Sequence, residues 1–292
     1  MQGIILRGIG GFYTAMDDSG ALHTLRAQGK IRRERLKPKV GDRVELAPGE
    51  GEEHGWILRI LPRKNELIRP PVSNIDLICI VVAAATPDPD LMLADRLLLN
   101  ARRAGIEARL VVNKCDLDSQ KAADIVHQYR GAGVEPMQVC AATGEGIEAL
   151  RSLLAGKVHA LAGQSGAGKS TLVNALYGLK VETGDLSHKI ERGKNTTRHC
   201  ELIPVEGGGM VLDTPGFSLL ETDVFDPVEL KESYPEFAQY EGQCFFQPCY
   251  HASEPRCAVR EAVAAGDVDT QRHARYVALL EDMKQRWRDR YD

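Results

Sequence analysis

The first 65 residues alternate short runs of β-prone residues with turns rich in Gly, Asp and Pro. The runs are IILRGIGGFYTAM, ALHTLRA, KVGDRVELAP and GWILRILP. Short strands punctuated in this way are typical of small β-barrels. The pattern predicts a barrel over 1–65. An OB-like and an SH3-like barrel remain alternatives, because strand spacing alone does not distinguish them. The RPP at 69–71 indicates the boundary of this region.

From Ile75 onward the pattern changes. The segment IDLICIVVAAA is apolar throughout, which is typical of a strand buried on both faces of a parallel sheet. Helix-like LMLADRLLLNARRAG, SQKAADIVHQYRGAG and GIEALRSLL then alternate with strand-like ARLVVNK, PMQVCAA and KVHALAG. This alternation predicts a doubly wound α/β domain over 70–221. Over 222–292 the alternation stops, and acidic and aromatic residues, a cysteine cluster and a long charged helix follow.

Composition narrows the class of protein. The chain has 292 residues, is 43% hydrophobic and carries a formal charge of −4, so nucleic-acid contacts would depend on local basic patches. One such patch is GKIRRERLKPKVGDR at 29–43, for which a solvated loop is the alternative reading. Seven cysteines without a secretory signal argue against a disulfide framework. No segment approaches the roughly 20 apolar residues of a membrane span, which predicts a cytoplasmic protein.

A phosphate-binding loop is predicted at 163–170. GQSGAGKS fits G-x-x-x-x-G-K-[ST] and lies between an apolar strand and a helix, as this motif requires. Backbone N–H groups and a helix N-terminus then surround the phosphates. Lys169 would neutralise the β- and γ-phosphates, and Ser170 would ligate Mg²⁺. The predicted nucleotide-binding residues here are Gly163, Gln164, Ser165, Gly166, Ala167, Gly168, Lys169, Ser170 and Thr171.

A second phosphate segment is LDTPG at 212–216. It follows the apolar run MVL, which places Asp213 at a strand end, where it can hold Mg²⁺ through water. The backbone N–H of Gly216 would then meet the γ-phosphate.

The polar stretch VETGDLSHKIERGKNTTRHCEL, at 181–202, lies between these two segments. It is too polar and irregular for a regular element and is long enough for a switch. Within it, Thr197 is expected, in preference to Thr196, to reach the Mg²⁺ and the γ-phosphate.

Base identity is predicted from NKCD at 113–116. The Asp116 carboxylate can accept from both N1–H and the 2-amino group of guanine, a pair of donors that adenine lacks. Asn113 is expected to contact the base edge, and the Lys114 stem to cover its face. In isolation, a strand-ending Asn-Lys-x-Asp can also be an ordinary helix cap.

The segment CAATGEG at 140–146 looks like the remaining guanine loop. Cys140 and Ala141 are its predicted nucleotide-binding residues, with the Ala141 backbone directed toward O6 of the base.

A metal centre is predicted near the C-terminus. The segment CFFQPCYHASEPRC contains Cys244, Cys249, His251 and Cys257, a Cys₃His set suited to tetrahedral Zn²⁺. If all four bind, no coordination position stays open, so the metal would be structural. Unliganded buried cysteines are the alternative.

The order of the nucleotide motifs is unusual. They run NKCD, CAATGEG, GQSGAGKS, NTTR and DTPG, which is the usual GTPase order cut between its third and fourth members and rejoined. The pattern predicts a circular permutation. The second switch, DTPGFSLL, then runs directly into the C-terminal region, so the γ-phosphate state can bias that region's position.

With these motifs in place, the sequence resembles the RsgA family (also called YjeQ or YloQ), the ribosome small-subunit-dependent GTPases of bacteria. The match covers essentially the whole chain. It implies a circularly permuted P-loop GTPase domain with an OB-fold at 1–65 and a helical zinc-binding domain at 222–292. The implied activity is GTP hydrolysis (EC 3.6.1.-) by a monomer that binds the 30S subunit and 16S rRNA during late maturation. The subunit would stimulate hydrolysis, and hydrolysis would promote release.

The sequence departs from this family at the hydrolytic centre. Many relatives carry His just before the two threonines, and that place is Asn195 here, with His199 four residues on. Whether Asn195 or His199 orients the attacking water, or neither does, stays open. Position 217 is Phe217, whereas many GTPases have a water-positioning Gln after DxxG. Slow intrinsic turnover is therefore predicted, with catalysis dependent on an ordering partner.

Two other functions compete with this interpretation. One is an RNA-binding scaffold with a vestigial nucleotide pocket, against which Lys169, Ser170, Asp213 and Asp116 occur together. The other is an ATP-driven P-loop enzyme, against which Asp116 argues. By charge and by context, the basic patch at 29–43 and the Arg/Lys-rich final helix are candidates for rRNA contact.

The guanine assignment makes a specific prediction. Asp116→Asn replaces an acceptor with a group that complements the xanthine edge, so preference should move from GTP toward xanthosine triphosphate. Competition between the two nucleotides for binding measures this change. An Asp116→Asn variant with unchanged preference would contradict the assignment.

Overall fold

The computed structural model describes residues 1–33, 36–49, 53–68, 70–179, 200–213 and 223–290. Among these residues, no helix combines the length and the hydrophobicity that crossing a membrane requires.

The N-terminal strands form a closed barrel. Their order is β1–β2–β3–β5–β4, and β1 also pairs with β4, so the sheet returns to its first strand. The β3–β5 pair is parallel, and a short helix precedes β4. This arrangement agrees with the OB-like alternative. The elements are β1 Gln2–Ile9, β2 Phe12–Asp17, β3 Leu22–Ala27, α1 Gly29–Arg33, β4 Arg43–Ala47 and β5 Gly55–Ile60.

A buried carboxylate joins this barrel to the chain that follows it. The Asp42 side chain is fully buried and accepts from Arg63 Nε at 2.7 Å, from Ser73 Oγ at 2.6 Å and from the Lys39 backbone N–H at 2.7 Å. Ser73 belongs to a small hairpin of β6 Glu66–Leu67 and β7 Val72–Ser73. Because a buried charge is tolerated only when it is paired, these contacts position the hairpin against the barrel.

The central α/β sheet has the order β10-β9-β8-β11-β13-β12. All neighbouring pairs are parallel except β12 with β13. Strand β8 is buried at every position, as its apolar sequence predicts. The strands are β8 Leu77–Ala83, β9 Glu107–Asn113, β10 Met137–Gln138, β11 Val158–Ala162, β12 Glu201–Pro204 and β13 Met210–Asp213.

Helices cover both faces of this sheet, which confirms the doubly wound prediction. Buried side chains of α2 and α3 pack with one face, and those of α4 and α5 pack with the other. The helices are α2 Leu91–Arg103, α3 Ser119–Gln128, α4 Ile147–Leu154 and α5 Lys169–Tyr177. Only residues 155–157 connect α4, which follows the CAATGEG loop, to β11, which precedes the phosphate loop, so the permuted order is joined through a short link.

One strand was missed in the sequence. The polar stretch at 181–202 was expected to contain no regular element, yet its end forms part of β12. Leu202 is buried and pairs with Leu212 of β13, which gives the short strand its stability. Strand β12 also pairs with β1 through Arg7 and Glu201, so the barrel and the α/β sheet are continuous.

The C-terminal region is helical and has an aromatic core. It comprises 3₁₀ helices Pro227–Ser233 and Pro235–Tyr240, then α6 Ala258–Ala265 and α7 Thr270–Asp289. Phe237 stacks on Tyr234 and meets Tyr276 edge to face, and all three rings are buried. The long charged helix is thus confirmed, and one of its faces packs on these rings.

A buried ionic network attaches the C-terminal region to the α/β domain. Asp95 of α2 accepts from Arg272 Nη1 and Arg275 Nε of α7, both at 2.6 Å, and from the Tyr129 hydroxyl at 2.6 Å. Arg272 also pairs with Glu236. The helix proposed for rRNA contact therefore uses two of its arginines internally, and this part of the expectation is wrong for Arg272 and Arg275.

This network predicts a large effect of one substitution. Asp95→Asn removes the charge that compensates the buried Arg272 and the partly buried Arg275, so the free energy of unfolding should fall by about 3–5 kcal/mol. The matched control is Asp282→Asn, because the exposed Arg96–Asp282 pair joins the same two helices at 3.3 Å. The control should change stability by less than about 1 kcal/mol. Urea unfolding of both variants tests this, and equal small losses would contradict it.

Candidate functional site

The loops with the predicted nucleotide residues converge at one edge of the sheet. Strands β9 and β11 both pair in parallel with β8, and β13 pairs in parallel with β11. The carboxyl ends of all four strands therefore lie at the same edge of the sheet. The loop 84–90 follows β8, the guanine segment follows β9, and the phosphate loop follows β11. Asp213 is the last residue of β13. The topology therefore assembles motifs that are far apart along the chain.

The phosphate loop packs closely against its surroundings. A side chain at Gly163, where φ is +139°, would lie 2.1 Å from the Val81 carbonyl oxygen. Gly168, with φ of +92°, precedes α5, and no side chain caps the first turn of that helix. The backbone N–H groups of this turn are therefore available for an anion, as the motif predicts.

Lys169 lies against the loop that it follows. Its ammonium donates to the carbonyl oxygens of Gly163 and Gln164, both at 2.8 Å. Burial lowers the pKa of this side chain. An anion next to the ammonium would oppose that shift, because a nearby negative charge favours the protonated form.

Asn113 holds three loops together. Its side chain is 1% exposed, donates to the Ala167 carbonyl at 3.0 Å and accepts from the Ala141 N–H at 3.2 Å. The observed contacts therefore join the guanine segment, the phosphate loop and the CAATGEG loop. Contact of Asn113 with the base edge, and of the Ala141 N–H with O6, stay predictions.

Lys114 extends from the guanine segment across to the phosphate loop. Its backbone is left-handed, with φ of +62°, and its ammonium donates to the carbonyls of Gly166, at 2.9 Å, and Thr86. The aliphatic stem is thus stretched between the two loops.

The structure brings Asp116 to the CAATGEG loop. The Asp116 side chain is exposed, and one of its oxygens accepts from the buried Cys140 thiol at 3.0 Å. This contact orients an exposed carboxylate beside the loop that was predicted to complete the guanine site.

The predicted Mg²⁺ residues are described only in part. Asp213 ends β13, where partial desolvation by the protein raises the pKa of its carboxyl, and Ser170 lies in the first turn of α5. A divalent cation nearby would favour the ionised carboxylate. The other predicted switch and hydrolytic residues lie outside the described residues: Asn195, Thr196, Thr197, His199, Gly216 and Phe217.

Gln164 has a contact that the sequence did not reveal. Its side chain accepts from the Asp90 N–H at 2.6 Å and donates to the Asp88 carbonyl at 2.8 Å. Asp90 in turn caps α2 through the Leu93 N–H. The phosphate loop is thereby joined to the start of α2, the helix that carries Asp95. The only signal of this arrangement in the sequence is Asp90, because Asp is a preferred residue at the N-cap of a helix.

The four predicted metal ligands come together. Their ligand atoms all lie within 4.8 Å of one another, and all four residues are buried. His251 Nδ1 is 3.6 Å from Cys244 Sγ and 3.4 Å from Cys257 Sγ, and these two sulfurs are 3.9 Å apart. Zn²⁺ at about 2.3 Å from sulfur and about 2.0 Å from nitrogen requires tetrahedral edges of roughly 3.5–3.8 Å. The donor set therefore fits zinc.

The surroundings of the cluster also fit a cation. His251 Nε2 lies 3.5 Å from the Glu241 carboxylate, an arrangement that orients metal-bound imidazoles in proteins. Burial raises the pKa of the Cys249 thiol to about 12 and also raises that of Cys257. Without a cation these thiols would therefore stay protonated, whereas zinc binds thiolates.

Comparisons with known proteins cover nearly the whole chain. The family model RsgA GTPase matches residues 60–223, and the family model RsgA N-terminal domain matches residues 2–57. A protein of Agathobacter rectalis, named small ribosomal subunit biogenesis GTPase RsgA, is 42% identical over 299 residues, covering 98% of this chain and 99% of that one. A Caldanaerobacter subterraneus subsp. tengcongensis protein of the same name is 41% identical, with coverage of 100% and 98%.

Solved structures agree with this similarity. The crystal structure of YjeQ from Thermotoga maritima superposes with a TM-score of 0.84 at 35% identity, over 97% of this chain and 98% of that one. YloQ, described as a circularly permuted GTPase, gives a TM-score of 0.79 at 32% identity, over 98% and 95%.

The metal centre predicts the result of removing one ligand. The protein should bind one zinc ion per chain. Cys249→Ser should lose most of the bound zinc and should have a lower free energy of unfolding, because metal binding contributes to folding. Cys200→Ser is the matched control, since Cys200 is a half-buried cysteine outside the cluster. Zinc released under denaturing conditions measures both variants. Full zinc content in Cys249→Ser would contradict the assignment.

Proposed function

The chain belongs to the RsgA GTPase family, and from this premise we propose that it hydrolyses GTP as a late maturation factor of the small (30S) ribosomal subunit. The observation that carries the proposal is the convergence of the phosphate loop, the guanine segment and Asp213 at one sheet edge in a chain similar to its relatives over its full length. This combination favours an active nucleotide site over the vestigial one of a scaffold.

Phosphate and Mg²⁺ binding are assigned to the loop at 163–171 and to Asp213. The free N–H groups at the start of α5 bind the phosphates, and Lys169 neutralises charge on the β- and γ-phosphates. Ser170 and Thr197 ligate the Mg²⁺, Asp213 holds it through water, and the Gly216 N–H meets the γ-phosphate. Bound Mg²⁺ supplies charge neutralisation for the transferred phosphoryl group.

Guanine recognition is assigned to Asp116, whose exposed carboxylate is oriented by Cys140. The stretched Lys114 stem covers the base, and the Ala141 N–H donates to O6. Asn113 contributes mainly by holding the three loops at fixed separations, as its buried contacts support. The Asp116 carboxylate selects GTP over ATP, because adenine lacks the pair of donors, N1–H and the 2-amino group, that guanine offers to it.

Hydrolysis is proposed to require the ribosomal subunit. Phe217 cannot orient a water as Gln does, and Asn195 and His199 are uncharged or titratable polar side chains close to the threonines in the sequence. We assign the attacking water to a site that the subunit completes, with these two residues as the candidates on the chain itself.

The remaining regions serve binding. We propose that the barrel at 1–65 and the exposed end of α7, which includes Arg288, contact 16S rRNA, while zinc holds the region 222–292 together. The GTPase region spans 70–221. The protein acts as a monomer in the cytoplasm, where ribosomal subunits mature. Its basic patch at 29–43 supplies charge for phosphate contacts.

Hydrolysis of GTP and ATP by the purified protein, with and without 30S subunits, tests the proposal. GTP turnover should exceed ATP turnover and rise at least about tenfold with subunits, and Lys169→Ala should lower the stimulated rate by roughly a hundredfold. Lys157→Ala is the matched control, because Lys157 precedes β11 at the opposite edge of the sheet. Turnover that subunits leave unchanged would refute the ribosomal part. Equal loss in both variants would refute the role of Lys169.

A further inference from the structure

An aromatic and cationic row crosses the outer surface of the barrel. Phe12 of β2 is opposite Arg26 of β3, and Arg26 is opposite Trp56 of β5. Residues directly opposite on neighbouring strands have side chains on the same face of a sheet. Leu25, adjacent to Arg26, and Ile57, adjacent to Trp56, point to the other face and are fully buried. The row therefore lies on the outside of the barrel, and we refer to Phe12, Arg26 and Trp56 as the surface row.

The side chains of the surface row are arranged for stacking. The Arg26 guanidinium carbon lies 4.3 Å from the centre of the Phe12 ring. His54 meets the same ring edge to face, with 4.7 Å between centroids and 70° between planes. Trp56 is 46% exposed, a large fraction for the largest apolar side chain. Two aromatic surfaces thus flank a planar cation.

We propose that the surface row is a binding site for unpaired RNA bases, which stack on Trp56 and on the Phe12–Arg26 pair. This inference rests on the proposed function, since it names the part of the barrel that holds single-stranded segments of ribosomal RNA. Aromatic rings and guanidinium planes are the groups on which proteins stack splayed RNA bases.

The position of the row within the barrel supports this ligand. Phe12 directly follows the β1–β2 turn at Gly10 and Gly11, and Trp56 is the second residue of β5, next to the connection between β4 and β5. Five-stranded barrels of this type bind oligonucleotides on the face of their second and third strands, beside these two connections. The surface row occupies that face of the barrel.

Charge near the row sets the direction of the bound chain. Among the described residues, Arg26 has no carboxylate partner, and exposed Lys30 lies in α1, which begins two residues beyond β3. The β4–β5 connection instead carries the exposed Glu53, three residues before Trp56. Acidic side chains repel phosphates, so the bases would cover the row while the sugar–phosphate backbone runs on the α1 side.

Binding of a fluorescein-labelled single-stranded RNA 12-mer to the full chain tests the inference. Trp56→Ala should weaken binding roughly 5- to 100-fold, as loss of one stacked base does. Leu22→Ala is the matched control, because Leu22 is 64% exposed on β3 at the other end of the same face. This control should bind as the wild type does. Trp56→Phe should recover most of the affinity, because it keeps an aromatic ring on which a base can stack.

Salt dependence separates stacking from phosphate contact. Trp56→Ala should keep the slope of log affinity against log salt, whereas Arg26→Gln should weaken binding and reduce the slope by at most about one phosphate. Arg59→Gln is the control for charge, since exposed Arg59 of β5 is paired with Glu45 at 3.5 Å.

Two outcomes would overturn the inference. One is an equal loss of RNA affinity in Trp56→Ala and in Leu22→Ala. The other is wild-type RNA affinity in Trp56→Ala, and if that variant also loses binding to a ribosomal protein, the row is a protein-docking surface. Failure of the proposed function is distinguishable, because it would show as absent 30S stimulation of the wild-type protein whether or not the 12-mer binds.

Discussion

The parallel pairing of β8 with β9 on one side and β11 on the other is the constraint on which the nucleotide site depends. Parallel neighbours bring their carboxyl ends to one edge, so the loop after each strand joins the others there. The chain order of these strands does not enter the geometry. The guanine segment can therefore precede the phosphate loop, and the short junction 155–157 between α4 and β11 leaves the edge intact.

Side chains then hold that edge in shape without a ligand. Asn113 connects the guanine segment to the phosphate loop and to the CAATGEG loop, and Gln164 connects the phosphate loop to the start of α2. Helix α2 also carries Asp95, whose buried pairs with Arg272 and Arg275 attach the C-terminal region. A continuous path of contacts thus leads from the phosphate loop to the region of the metal centre, in addition to the covalent connection through the second switch.

The C-terminal region is stabilised from two directions. Inside it, the Cys₃His cluster and the rings of Phe237 and Tyr276 form a core that a short segment could not form from aliphatic residues alone. Outside it, the ionic network fixes the start of α7 against α2. The helix therefore cannot present its whole charged surface to a partner, because its first arginines neutralise a buried carboxylate.

Most elements of the α/β domain and all of the nucleotide and metal motifs could be predicted from residue order. The apolar run at Ile75 and the alternation of helix-like and strand-like segments identified β8 and the helices. The residue spacing within GQSGAGKS, NKCD and the cysteine cluster identified the binding loops, because phosphate, guanine and metal binding depend on local residue order. Which distant residues pair with one another followed from the folded structure alone. Strand β12 depends on pairing with β13 and β1, the surface row depends on the register of three strands, and the fate of Arg272 depends on Asp95, which lies 177 positions away. Contacts between residues distant in the chain leave no local pattern, so they are determined only once the fold brings those residues together.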